Sequence, residues 1–214
     1  QSLEAYDLVI APMLYLLRDG VAESIGAFVK QGGTFVATYA SGYVNETDLC
    51  CQGGFPGPLK EILGIWCEEI DALYPGESNS VEWQGKSYRA YDFCELIHDR
   101  GASVLGLYGS DFYAGRPALT VNSYGKGKAY FIGARTTGEF LHDFYCGLAE
   151  EKNIRRALDA ELPEGLSAQV RTDGKTDYTF VMNFTSKTVR LDAGSRGIRD
   201  LTPYEAWISE SPSR

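Results

Sequence analysis

The chain has 214 residues, 44% of them hydrophobic and 23% charged, a composition typical of a globular protein with one or two domains. The formal net charge of -9 argues against nucleic acid as a partner, because binding a polyanion requires a basic surface. No apolar run approaches the roughly 20 residues of a membrane span, and no basic, apolar leader opens the chain, so neither a membrane partner nor a retained signal peptide is predicted.

The N-terminal part predicts a β-α-β unit. Residues 7–12 form a short apolar strand that ends at a proline, and residues 18–31 carry an apolar stripe with helical spacing. Glycines end that helix, and residues 34–39 resume as a strand. We expect the two strands to be parallel, with a right-handed crossover between them.

A long polar and glycine-rich loop follows residue 39, where ligands bind in open α/β sheets. A short helix over 58–64 and a strand over 65–71 are predicted next, followed by a hairpin over 80–91 that turns at 84–86. The glycines of the loop lack the spacing of a phosphate-binding motif, so no nucleotide cofactor is predicted.

Four titratable side chains lie close together in the segment 91–99. They are Asp92, Glu95, His98 and Asp99. Such a group suggests acid–base catalysis or metal ligation. An extended backbone would divide it, with the first and third residues on one face and the other two on the opposite face. We therefore interpret the segment as a strand with a polar edge.

Two β-prone runs, residues 117–124 and 128–133, are separated by Gly-Lys-Gly and predict a hairpin. The second run is apolar almost throughout, which is typical of a strand covered on both faces and indicates the centre of a sheet. A further strand is predicted over 102–108, and a helix over 135–152 closes this domain.

After residue 163 the pattern changes to short strands between glycine, serine and aspartate turns. We predict strands over 167–171, 178–185, 188–192 and 204–208, forming a small antiparallel sandwich. The sequence thus predicts an α/β domain over 1–153 and a β-domain over 163–214.

Cysteine usage predicts neither a disulfide framework nor a metal site. The five cysteines show no C-x-x-C spacing, and the chain has only two histidines, His98 and His142, at an unrelated spacing. We therefore expect reduced thiols and no metal.

Three stretches resemble one family: GRPALTVNSYGKGKAYFIGA (115–134), GFPGPLKEILGI (54–65) and DLVIAPMLYLL (7–17). They are similar to the trimerisation domain of the glycoside hydrolase family 42 β-galactosidases, and the remaining residues resemble that family's C-terminal β-domain. The resemblance implies an open, mostly parallel layered sheet of flavodoxin-like or class I glutamine amidotransferase-like type. It also implies that a leading β-α-β segment is missing, so that the chain is either part of a longer polypeptide or carries an unusually shortened domain.

The resemblance further implies a homotrimer in the bacterial cytoplasm whose parent protein hydrolyses terminal β-D-galactosides with two glutamates. Those glutamates lie on an N-terminal (β/α)8 barrel that these residues do not include. No glutamate of this chain has motif support as a catalytic group, and the ones considered are Glu61, Glu68, Glu69, Glu95 and Glu139. We predict no catalytic residue, no cofactor and no metal ligand in this segment.

Two other functions compete with assembly. An amidotransferase-like enzyme needs a cysteine on a sharp turn after a strand, but residues 38–42 contain none, and Ser41 lacks the G-x-S-x-G frame. A sugar-binding accessory module would use exposed aromatic rings as stacking platforms. The candidates are Trp83, Tyr113, Trp207 and Tyr43, although large aromatic residues are more often buried.

A candidate self-association surface lies just before the central hairpin. Asp111, Phe112, Tyr113 and Arg116 combine two aromatic rings with one acid and one arginine, which is the composition of an interface anchor.

Overall fold

The structure is a computed structural model that describes residues 2–213. The chain divides into two compact units, one extending to Leu148 and the other beginning at Ala149. Across the described residues, every helix is too short or too polar to cross a membrane.

The first unit is built on one sheet of nine strands within the part of the chain that the structure describes. These are β1 (Leu8–Ala11), β2 (Thr34–Thr38), β3 (Ile65–Ala72), β4 (Asn79–Trp83), β5 (Lys86–Asp99), β6 (Ser103–Tyr108), β7 (Pro117–Tyr124), β8 (Gly127–Ile132) and β9 (Ala134–Thr136). Their order is β1-β2-β8-β7-β6-β4-β5-β3, and β9 pairs with β5.

Parallel pairing is confined to β1, β2 and β8, and the other ladders are antiparallel. The predicted α/β layered sheet is confirmed, and β8 lies between β2 and β7 as its apolar sequence indicates. Parallel pairing is less extensive than expected, because β3 to β7 are joined by hairpins and short connections. The finer flavodoxin-like or amidotransferase-like description stays a prediction.

Three α-helices accompany the sheet among residues 2–213: α1 (Val21–Gln31), α2 (Lys60–Leu63) and α3 (Gly138–Glu151). The first ends at Gly32, whose φ of 122° is in the left-handed region and whose N–H bonds back to the last turn. The predicted start of the third helix at residue 135 is wrong. Residues 134–136 form β9 instead, because they pair with Cys94 and Ala90 of β5.

Separate apolar cores cover the two faces of the sheet. On one face Phe35 and Ala37 of β2 pack with Phe28 of α1. On the other face Val36 packs with Phe140 of α3. The alternation along β2 follows from the two-residue period of a strand, and it explains why all five of its residues are buried.

The second unit contains two small antiparallel sheets. One consists of β10 (Leu166–Thr172), β11 (Thr176–Asn183) and β14 (Ala206–Pro212), and the other of β12 (Val189–Asp192) and β13 (Ile198–Leu201). The expected antiparallel β-domain is therefore present, but β13 was not predicted. Leu158, Val181 and Leu191 are among the residues of its core.

Candidate functional site

The carboxyl ends of the parallel strands are the first place to examine for a ligand site. A cavity of about 430 Å³ opens there, lined mainly by apolar side chains that include Ile10, Tyr39, Leu141 and Tyr145. Arg135 lies at this cavity, where its guanidinium is 5.1 Å from the ring centre of Tyr91.

Three non-glycine residues near this edge have a left-handed backbone. Met13, Ala40 and Asp92 have φ values of 47°, 55° and 61°. Such conformations cost roughly 1–3 kcal/mol each and persist only where the surrounding contacts hold them. Ala40 occupies the turn directly after β2, which is where an amidotransferase would carry its nucleophile.

A buried carboxylate, that of Glu95 on β5, holds this turn. Its side chain is 1% exposed, and its Oε1 accepts hydrogen bonds from the Ala40 N–H at 2.8 Å and the Tyr43 hydroxyl at 3.0 Å. Burial raises the pKa of Glu95, while hydrogen bonds from the Ala40 amide and the thiol of Cys67 oppose that rise. The same burial, reinforced by the charge of Glu95, raises the pKa of Tyr43.

Aromatic stacking fixes the long loop after β2. The ring of Tyr43 lies between two others, with its centre 3.9 Å from that of Phe55 and 5.8 Å from that of Tyr15. Because Tyr43 also donates to Glu95, the loop is connected both to its own aromatic stack and to β5. The long loop after residue 39, which the sequence indicated as a possible ligand site, is thus held in place by contacts within the chain.

The four titratable residues predicted as a possible cluster are not brought together. Asp92 pairs with Arg135 at 2.7 Å, and His98 contacts Glu68 at 2.7 Å. Glu95 is buried, as described above, and Asp99 is exposed at the end of β5. Nothing in this arrangement resembles an acid–base pair around a common substrate position.

Ser41 is also occupied structurally. Its side chain is 1% exposed, and its hydroxyl donates to the Thr38 carbonyl at 2.6 Å and accepts from the Leu14 N–H at 3.1 Å. A hydroxyl in this environment is inaccessible to a substrate, and neither of these two hydrogen-bond partners is a histidine. The turn after β2 therefore has the left-handed backbone of a turn that carries a catalytic nucleophile, but its serine hydroxyl is not available as one.

The predicted interface residues lie on a loop between β6 and β7, at different depths. Phe112 is 73% exposed, and its ring packs edge-on against Tyr113 with centres 4.9 Å apart. Tyr113 itself is fully buried and donates to the Asp71 carboxylate at 2.6 Å. It supports the surface from below rather than forming part of it, whereas Asp111 and Arg116 are exposed.

Asn79, at the start of β4, stabilises this loop and was not predicted from the sequence. Its side-chain oxygen accepts hydrogen bonds from the amide and hydroxyl of Ser110 at 3.0 and 2.8 Å, and its amide donates to the Ser110 carbonyl at 2.9 Å. Since these partners are separated by 31 residues, no local pattern could have indicated them. The result is a protruding Phe112 on a well-supported loop.

The four aromatic residues predicted as sugar platforms are engaged within the chain. Tyr113 and Tyr43 have the contacts described above. Trp83 packs edge-on against Phe140 at 5.6 Å, and Trp207 lies under the guanidinium of Arg199 at 4.6 Å. Tyr43, Tyr113 and Trp83 are therefore packed against other aromatic rings, while Trp207 contacts a cation.

Within residues 2–213 no three His, Cys, Asp or Glu side chains are grouped so that they could hold a metal ion. The five cysteines all have free thiols. Burial raises the pKa of Cys94 to about 11, so this thiol stays protonated at neutral pH.

Comparison with known proteins shows which family the chain resembles. The profile of the β-galactosidase trimerisation domain matches residues 1–155, and that of the β-galactosidase C-terminal domain matches residues 165–205. β-Galactosidase Pbg of Clostridium perfringens is 49% identical over 213 residues, which cover 96% of this chain and 31% of that protein. β-Galactosidase GanA of Bacillus subtilis is 42% identical over 201 residues, covering 94% and 30% respectively.

Solved structures agree with the sequence matches. A cold-adapted β-galactosidase from a Rahnella species superposes with a TM-score of 0.93 at 46% identity, covering 100% of this chain and 33% of that one. The β-galactosidase of Bacillus circulans sp. alkalophilus gives a TM-score of 0.89 at 37% identity, covering 98% and 34%. The chain thus spans about a third of the length of these relatives. It belongs to the glycoside hydrolase family 42 β-galactosidases, of which it carries the trimerisation domain and the C-terminal domain.

Proposed function

We propose that this chain is the non-catalytic assembly portion of a β-galactosidase, and that it holds three copies of the polypeptide together. The observation that carries the proposal is the match of residues 1–155 to a trimerisation domain. In the parent protein, terminal β-D-galactosides are hydrolysed by carboxylates outside this segment. The free cysteines are consistent with the reducing bacterial cytoplasm as its location.

The surface that we assign to self-association is the loop carrying Asp111, Phe112 and Arg116. An exposed aromatic ring on a well-supported loop is typical of an interface anchor, because little conformational entropy is lost when it binds. Here Tyr113 and Asn79 provide the support. A threefold assembly is heterologous, so Phe112 is expected to contact a different patch on the neighbouring copy.

Sedimentation velocity of the 214-residue chain tests this assignment. We expect a trimer at low micromolar concentration and a weaker one for Phe112→Ala and Arg116→Ala, by about tenfold or more in dissociation constant for the phenylalanine. Phe184→Ala is the matched control, since Phe184 is similarly exposed at 65% but lies in the second unit.

Equal sedimentation of Phe112→Ala, Arg116→Ala and the unchanged chain would remove the loop from the interface. A monomer under all conditions would contradict assembly by this segment itself. Release of the chromophore from a chromogenic β-galactoside by the isolated chain would contradict the non-catalytic assignment.

A further inference from the structure

A second cavity, of about 330 Å³, differs from the first in the chemistry of its lining. Its lining includes the indole of Trp66 on β3, Arg100 just after β5, and Lys60 and Glu61 of α2. The volume is at the lower end of the range of about 300–1,000 Å³ that is typical of small-molecule sites.

The contacts of Trp66 hold its ring in place. The imidazole of His98 packs against the indole with ring centres 4.7 Å apart, and His98 is in turn held by Glu68 at 2.7 Å. The guanidinium of Arg100 lies 5.9 Å from the centre of the indole. A side chain at Gly54 would lie 2.5 Å from the indole Nε1, so glycine is required for this close approach. The indole is therefore held in a fixed position at the wall of the cavity.

The polar groups around the indole include both hydrogen-bond donors and a hydrogen-bond acceptor. Arg100 and Lys60 are donors only, and Glu61 is an acceptor when ionised. Lys60 also donates to the Gly53 carbonyl, which fixes its ammonium at the cavity. A sugar hydroxyl both donates and accepts, so this mixture suits a neutral polyol, while the carboxylate of Glu61 and the net charge of -9 disfavour a polyanion.

We propose that this cavity is a non-catalytic saccharide site, in which the apolar C–H face of a pyranose ring packs on Trp66 and its hydroxyls bond to Arg100, Lys60 and Glu61. The ligand class is a neutral pyranose, and the narrower choice of a galactopyranose or a short β-galactoside rests on the proposed function. Such a site would retain substrate or product on the assembly portion of the protein. It is separate from self-association and does not depend on it.

Titration of the ¹⁵N-labelled 214-residue chain with galactose and lactose tests the site directly. The chain has three tryptophans, so its indole N–H signals are resolved and assignable. We expect the Trp66 signal to shift in a saturable manner while those of Trp83 and Trp207 stay unchanged. Trp66→Leu and Arg100→Ala should each weaken the affinity by about tenfold.

Arg199→Ala is the matched control, because Arg199 lies over Trp207 as Arg100 lies over Trp66. It should bind sugar as the unchanged chain does. Arg100 is exposed, so its alanine variant keeps the test valid if Trp66→Leu does not fold.

Four results would overturn the proposal. The first is an unshifted Trp66 signal at saturating millimolar sugar, and the second is equal affinity of the unchanged chain and both variants. The third is a Trp66 shift with inorganic phosphate and none with sugar, which would make the cavity an anion site. Loss of self-association in Trp66→Leu without any response to sugar would assign the cavity to an interface and would also overturn the proposal.

Discussion

Glu95 shows how one buried carboxylate can organise several distant segments. It connects the turn after β2 through Ala40, the long loop through Tyr43 and its own strand β5. A buried acceptor of this kind is stabilising only while its donors are present, because each lone donor would otherwise lose its hydrogen bond to water without replacement. The residue was noted in the sequence as part of a titratable cluster, but only the structure shows it acting as a structural connection.

Removing this acceptor should destabilise the first unit. We expect Glu95→Ala to lower the free energy of unfolding by about 3 kcal/mol, since it leaves the Ala40 amide and the Tyr43 hydroxyl without their partner in a buried position. Glu95→Gln keeps an oxygen acceptor and should cost much less. Urea unfolding followed by circular dichroism measures both, and equal losses for the two variants would contradict this role.

The raised pKa of Glu95 also predicts a pH dependence with a definite sign. An acid whose pKa is higher in the folded state contributes stability that is present below its unfolded pKa and is lost as pH rises through its folded pKa. The loss is about 1.4 kcal/mol for each unit of difference. Glu95→Gln removes this dependence, so the stability of the variant relative to the unchanged chain should increase as pH rises above about 4.3, the pKa of an unperturbed glutamate side chain. A difference between them that is independent of pH would contradict the prediction.

At the scale of elements, the central hairpin illustrates what a sequence can specify. Its turn was predictable because Gly125, with a φ of 66°, lies beside the apolar strands that it connects. Strand β9 was not predictable, since its partner β5 lies some 40 residues earlier and its three residues carry no periodicity of their own. For the same reason the burial of Tyr113 was missed, because its hydrogen-bond partner Asp71 lies on β3, distant in sequence.

Two glycine substitutions should have opposite effects on the elements that contain them. A Cβ at Gly127, the first residue of β8, would lie 2.2 Å from the Gly33 carbonyl oxygen and 2.3 Å from that of Val29. Because backbone atoms cannot move aside easily, Gly127→Ala should cost about 2 kcal/mol or more. Thermal denaturation should show the lower melting temperature.

Gly147 provides the contrasting case within α3. It is exposed, and a Cβ there would meet nothing within 4 Å. Gly147→Ala should therefore stabilise the chain by about 0.5–1 kcal/mol through the better helix propensity of alanine. A melting temperature that falls in both variants would mean that the helix does not tolerate the added methyl group.

At the scale of the whole molecule, the family match supports the proposed function more strongly than any single site does. The three sequence stretches spread over residues 7–134 were sufficient to indicate a trimerisation domain, and the comparisons confirmed that family. The exposure of individual side chains was not accessible in the same way, because it depends on tertiary packing. Phe112 and Tyr113 are adjacent in sequence, yet one is largely exposed and the other is buried.

Self-association predicts a stability that depends on concentration. If the folded chain forms a trimer and the unfolded chain does not, mass action raises the melting temperature as protein concentration rises. We expect calorimetry over a hundredfold range of concentration to show this rise for the unchanged chain and a smaller one for Phe112→Ala. A constant melting temperature for the unchanged chain would contradict a trimer linked to folding.

The alternation along β2 has a consequence for how the protein can change. Because Phe35 and Val36 belong to cores on opposite sides of the sheet, we expect volume lost on one side to have little effect on side-chain packing on the other. Substitutions in the two layers should therefore add independently. Divergence or redesign can therefore repack the α1 side while the α3 side, whose core includes Tyr113, keeps its shape.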